Sequence, residues 1–212
     1  MGEYFRATLK KKDDDKCVVL SSWAYDNGSK IMEHSYIGNH YVMAIDSLLF
    51  NNPQHLAWVG DYTDSDDLQN YSDDQKAVLT TMWRQAWPEN DPDDFGQNGP
   101  EIEDDEDSPF SLTDMYLYII NHSKKELIIL SRYYKNMCQK HNNVSYFMPI
   151  HPLPLLTALG HGKGGGCYYG INEDKIGMWA GDIIEIVNWK DYNDFYKNDY
   201  NDITDTLDFV ES

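Results

Sequence analysis

The chain has 212 residues, with 17 Lys+Arg against 36 Asp+Glu and a formal net charge of −19 at pH 7. A field of that sign repels phosphates, so gripping nucleic acid directly is excluded as its main work. A hydrophobic share of 41%, with six Trp, sixteen Tyr and seven Phe, supplies one sizeable core and excludes global disorder.

The charge is local. Asp61 to Asp107 holds sixteen acids against Lys76 and Arg84, a net of −14, and Asp191 to Ser212 holds seven against Lys197, a net of −6. The remainder sums to about +1, so the sequence reads as a near-neutral domain with two acidic attachments. The longest stretch free of Asp, Glu, Lys and Arg, His141 to Gly162, holds three prolines, so no membrane span is expected. Met1 to Lys12 has no apolar segment of the secretory kind. Cys17, Cys138 and Cys167 are odd in number and lack C-x-x-C spacing, which fits reduced thiols in a cytoplasmic protein.

Tyr4 to Leu9 alternates, with Phe5, Ala7 and Leu9 on one face, and reads as a half-buried strand. Lys10 to Lys16 is a polar turn leading to a second strand over Cys17 to Trp23, the two forming a hairpin. A short helical pattern begins at Lys30. Asn39 can cap a second helix whose apolar face is Tyr41, Val42, Ile45, Leu48 and Leu49. Leu56 to Tyr62 is a short strand. Ser72 to Gln75 fits a capping box ahead of a helix ending at Pro88.

Residues 88–112 form an acidic loop insertion broken by Pro92, Gly96, Gly99 and Pro100. Met115 to Asn121 and Leu127 to Arg132 read as a hairpin, and Val144 to Ile150, Gly177 to Ala180 and Ile183 to Trp189 as further strands. The predicted class is α+β: one domain over 1–190 with a mostly antiparallel sheet packed by two to three helices. After it, Tyr192, Tyr196, Tyr200, Ile203, Leu207 and Val210 recur at helical spacing, predicting an acidic amphipathic segment over 191–212.

Chemistry could reside in Gly160-His161-Gly162-Lys163-Gly164-Gly165-Gly166. Five glycines in seven positions let backbone N–H groups form a nest around an anion, with Lys163 as counter-charge. The dinucleotide fingerprint needs a strand before the loop and a helix after it; Pro152 to Leu155 and Cys167 to Gly170 supply neither pattern. Trp58-Val59-Gly60-Asp61 is echoed by Trp179-Ala180-Gly181-Asp182. The bland reading is two packing corners; the sharper one brings Asp61 and Asp182 to the glycine loop as acid, base or metal ligands. The seven histidines and the Asp61–Asp67 run assemble no metal motif, and neither a cofactor nor a catalytic residue is indicated.

Several motifs occur together: Met1-Gly2-Glu3-Tyr4, Gly28 through Ser35, Gly38-Asn39, the Trp58–Tyr62 corner, the Gly160–Gly166 loop with Tyr168, and Gly177 to Asp182. In this arrangement the chain resembles an uncharacterised family of small bacterial and phage proteins that begin M-G-x-Y and carry a glycine-rich loop followed by W-A-G-D. The resemblance spans most of the chain except 88–112 and the tail after Trp189, and it implies a shared fold and a shared site without naming a reaction. His161 and Cys167 depart from the Asn and Asp that the family pattern often has there.

Two functional readings follow. In the first, Glu101, Glu103, Asp104, Asp105, Glu106 and Asp107, with Asp199, Asp202 and Asp205 of the tail, bind a basic surface on a protein partner. A nucleic-acid-handling host defence protein would be a natural target for a phage-type inhibitor of that kind. In the second, Gly160, His161, Gly162, Lys163, Gly164 and Gly165, together with Asp61 and Asp182, bind a small molecule or nucleotide phosphate, with or without catalysis.

Overall fold

The computed structural model describes residues 1–88, 99–102, 117–141, 148–188 and 199–210. It is an α+β fold with helices on both faces of a mixed, mostly antiparallel eight-stranded sheet. Strands β1 (Phe5–Lys10), β2 (Cys17–Leu20), β3 (Gln54–Gly60), β4 (Leu117–Asn121), β5 (Glu126–Ile129), β7 (Ile183–Asn188) and β8 (Asn201–Asp202) run in the order β2-β1-β3-β7-β4-β5-β8. The two-residue β6 (Ala158–Leu159) adds in parallel to β3. Both expected hairpins form, β1 with β2 and β4 with β5.

The helices are α1 (Ile31–His34), α2 (His40–Leu49), α3 (Asp73–Ala86), α4 (Leu130–Lys140) and α5 (Pro152–Leu156). Two begin as their sequences require: Asn39 Oδ1 accepts from Tyr41 N, and Ser72 with Gln75 closes a capping box. One face of the sheet packs Phe5, Leu9, Trp58, Ile119 and Ile186 with residues of α1, α2, α4 and α5. The other face packs Ala57 and Val59 against Leu79, Met82 and Ala86 of α3.

This second layer corrects the half-buried reading of β1. All six of its residues are buried, because α3 lies over Arg6, Thr8 and Lys10. Arg6 is tolerated there because its guanidinium stacks 3.9 Å from the Trp87 ring centroid and donates to Ala86 O at the end of α3.

Four further expectations change. The second strand stops at Leu20, and Ser22–Tyr25 is a 3-10 turn that leaves Trp23 exposed. Gly177 to Ala180 is a turn rather than a strand: Gly177 and Gly181 have positive φ, and Trp179 N donates to Leu156 O. Leu130, read as strand, opens α4. The tail from Asn201 onward is no helix but β8, a 3-10 turn over Thr204–Thr206 and an extended end, with Tyr200, Ile203, Leu207 and Phe209 buried on the chain's own core. Asn, Asp and Thr are poor helix formers, and pairing with β5 satisfies this backbone instead. The predicted strand over 144–150 and the earlier part of the tail stripe fall largely outside the described residues. No helix among the described residues is long and apolar enough to cross a membrane.

Tyr41 ties the first layer together. Its hydroxyl accepts from Ala7 N at 2.8 Å and donates to Leu20 O at 2.9 Å, bridging two residues that face each other across β1 and β2. Tyr41→Phe removes the bridge and leaves a buried donor and acceptor without partners, a cost of about 1–3 kcal/mol. Urea unfolding at pH 7 should give a lower midpoint with an unchanged slope.

Candidate functional site

The glycine loop is delivered by a short rigid path. Pro152 starts α5, where His151 Nδ1 accepts from Leu153 N, and Thr157 closes the helix by donating to Leu153 O. β6 then registers Ala158 and Leu159 against Trp58 and Val59. At Gly160, φ is +84°, and a β-carbon there would lie 2.3 Å from Thr63 Oγ1, so only glycine turns this corner.

Beyond the corner, the loop closes on the chain's own residues 1–4. Gly165 N donates to Met1 O and Glu3 N donates to Gly165 O, each at 3.1 Å. Lys163 N donates to Glu3 Oε2 at 3.1 Å, and the Cys167 thiol donates to the same oxygen at 2.9 Å. Gly162 N in turn donates to Cys167 Sγ at 3.4 Å. A β-carbon on Gly164 would sit 2.6 Å from Glu3 N, which explains the glycine there. Loop amides that sequence alone offers to an external anion are thus spent within the chain, with Glu3 as the enclosed acid. Burial pushes the Glu3 carboxyl up, against the hydrogen bonds from Cys167 and Lys163, and Asp61 and Asp67 push it further. The Cys167 thiol is also raised, first by burial and then by Glu3.

Lys163 is already neutralised. Its Nζ lies 2.7 Å from both Asp64 Oδ2 and Asp67 Oδ2 and 3.2 Å from Tyr62 O. Burial alone would lower this ammonium, but the two carboxylates outweigh it and raise it. His161 Nε2 accepts from Tyr168 N, and burial lowers the imidazole to about 4, so it stays neutral near pH 7.

Asp61 and Asp182 do not converge on the loop. Asp61 Oδ1 accepts from Tyr4 N at 2.9 Å just past the end of β3. Asp182 lies at the other end of that strand, where its main chain bonds Leu56 and its carboxylate accepts from Gln75 Nε2 and Asn121 Nδ2, each at 2.8 Å. The two tryptophans of the W-x-G-D corners are core anchors: Trp58 Nε1 donates to His34 Nε2 at 3.2 Å and Trp179 Nε1 to Glu126 Oε2 at 2.7 Å.

What the loop does form is one wall of a cleft of about 580 Å³, whose other walls include Asp64, Asp66, Asp67, Tyr71 and Glu173. Four carboxylates against the single ammonium of Lys163 leave these walls at a formal −3. Sequence reasoning missed Glu3, Asp64, Asp66, Asp67 and Glu173; the early DYTDSDD run was the one visible signal.

Of the acids expected to bind a partner, Glu101 and Asp199 are exposed. Glu103, Asp104, Asp105, Glu106 and Asp107 lie outside the described residues. Asp202 pairs with Arg132, Asp205 with Arg132 and Asn136, and Asp208 with Lys140 and His141, so the tail neutralises the basic side of α4. A second polar cluster sits at the β4–β5 turn. There Lys125 donates to the Tyr200 hydroxyl (3.1 Å), which lies 2.7 Å from His122 Nδ1, and His122 Nε2 is 2.7 Å from Glu185 Oε2. These bonds dock Tyr200 onto the turn. Among the described residues, no three His, Cys, Asp or Glu side chains are placed to hold a metal ion.

Comparisons of the chain with protein-family models, curated proteins and solved structures find no match. The functional reading therefore rests on the geometry.

His34 supplies a test of the corner that anchors β3. Burial, partly opposed by the Gly28 carbonyl, depresses its imidazole from 6.5 to about 4. The native chain thus stays neutral where the unfolded chain binds a proton. Stability is complete above pH 6.5 and drains as the pH falls toward 4. Between pH 7 and 4.5 the wild type should lose about 2–3 kcal/mol more than a His34→Gln variant in urea unfolding.

Proposed function

We propose that this protein is an acidic, non-enzymatic interaction protein that binds a basic surface of a protein partner. The observation that carries the reading is the cleft beside the glycine loop, where Asp64, Asp66, Asp67 and Glu173 face a single, already paired Lys163. Carboxylates held around a concave surface attract Lys and Arg side chains and steer a basic partner toward it. Glu101, within the acidic insertion, is exposed and adds a further carboxylate to the surface. In the phage setting that the motif resemblance implies, a nucleic-acid-handling defence protein, whose own working surface must be basic, fits this chemistry. The phosphate-binding alternative has less in its favour, because the amides of Gly162, Lys163 and Gly165 are taken up by Cys167, Glu3 and Met1 and acidic cleft walls repel anions.

The test uses two charge variants. Asp66→Asn with Glu173→Gln removes cleft charge without touching the pair that holds Lys163, and a second variant converts Glu101 and residues 103–107 to their amides. Binding to a panel of Lys/Arg-rich peptides and basic proteins is read by calorimetry at low and moderate salt. The expected result is affinity that weakens with salt and falls about 2–10-fold in the cleft variant, as partly exposed pairs of about 0.2–1 kcal/mol each require. Binding indifferent to salt and to both variants would overturn the reading.

A further inference from the structure

We propose that Glu3 and Cys167 form a proton-dependent clasp that holds the glycine loop closed on residues 1–4, and that losing the proton of the Glu3 carboxyl loosens the loop. The geometry carries the inference. The Glu3 side chain is fully buried, yet only one of its oxygens is satisfied: Oε2 accepts from Lys163 N and from the Cys167 thiol. Oε1 is buried without a partner, pressed by Gly60 so closely that a β-carbon there would lie 2.7 Å away. A carboxylate in this position would place part of its charge on a buried oxygen with no donor among the described residues, whereas a protonated carboxyl would not.

The hydrogen bonds from Lys163 N and Cys167 favour the charged form, but burial outweighs them and the nearby carboxylates add to it. Asp61, at the end of β3, and Asp67, in the segment after it, add negative potential. The Lys163 ammonium is bound by Asp64 and Asp67, and Lys30, whose chain lies over Gly2 and Gly166, is paired with Glu33. His161, on the loop itself, is held neutral with its Nε2 accepting from Tyr168 N. The upward displacement of both Glu3 and Cys167 agrees with this arrangement. When the carboxyl releases its proton to solvent, the new charge faces Asp61 and Asp67, and the least costly response is for the Glu3 side chain to leave the loop. Because raised acid groups bind more protons folded than unfolded, the closed loop is favoured at low pH and weakened as pH rises through the folded pKa.

Gly162 and Lys163 belong to both the clasp and the cleft wall, so opening would reshape the cleft. Only that consequence rests on the partner-binding reading. The clasp is tested without any partner. Amide hydrogen exchange of Lys163 and Gly165 is followed from pH 5 to 9 and corrected for intrinsic chemistry, with Ala7 N, bonded to Tyr41, as the reference for the body of the fold.

Wild-type protection at the two loop amides should fall by up to about tenfold per pH unit as pH rises from the ordinary glutamate value to the folded pKa and level off above it, while Ala7 stays protected. Glu3→Gln, which keeps the shape and the acceptor but cannot ionise, should give protection independent of pH. A carbon-13 titration of the wild-type Glu3 carboxyl, needed if that variant does not fold, should show a midpoint above the ordinary glutamate value. Loop protection that is flat in the wild type, a Glu3→Gln variant with the wild-type slope, or an ordinary Glu3 midpoint would each overturn the clasp.

Discussion

The enclosure of one carboxyl group, that of Glu3, is the constraint around which this end of the molecule is arranged. A side chain with charge-bearing oxygens enters the interior only where donors meet it, and here the donors are a loop amide and a thiol. For the amide to reach it, the loop must pass against the backbone of residue 3, which forbids a side chain at position 164. The glycines are therefore the shape of a lid fitted to an internal acid. Fixing residue 3 also fixes where β1 begins, since Phe5 N donates to Ser29 O and Asp61 brackets Tyr4 from the far strand.

The acidity of the chain divides into charge that is used and charge that is not. Asp202, Asp205 and Asp208 lie along α4 at a spacing of three and meet Arg132, Asn136, Lys140 and His141 on one side of that helix. Exposed pairs of this kind contribute little each, so the docking of the tail depends more on Ile203, Leu207 and Phe209 beneath it. By contrast, Asp66 and Glu173 face the cleft with no cation paired to them in the described structure. That distinction, rather than the net charge, separates the carboxylates that hold the fold from those that are free to meet solvent cations.

Features fixed by neighbours in sequence were legible in it. The Asn39 cap, the Ser72–Gln75 box, both hairpins and the α+β class follow from spacing within a few residues. Helix α4 was not read from the sequence, although Leu130, Tyr133 and Met137 repeat at three and four: it starts with no cap directly from β5, and the strand pattern runs into it. The tail stripe fits a helix as well as the observed path, and only docking on β5 and α4 decides between them. Glu3 had no local signal: its partners are some 160 residues away, and a single acid near the start of a strand has no periodicity to betray its burial. In the W-x-G-D echo both tryptophans are buried anchors and both aspartates are bonded within the chain, so packing accounts for the repeat.

The sheet ends in two different edges. On one side, β8 is only two residues long and carries Asp202, so the last strand offers little template for another chain. On the other side, β2 is the outermost strand and exposes Val18, the kind of border along which sheets of separate molecules can join. Gln85 of α3 reaches around it, accepting from Cys17 N and donating to Asp15 O. The Lys10–Lys16 turn beside it places three lysines, three aspartates and a further lysine next to that border. A segment that serves the hairpin merely as a turn thus also guards the open margin of the sheet, discouraging a strand of another molecule from pairing there.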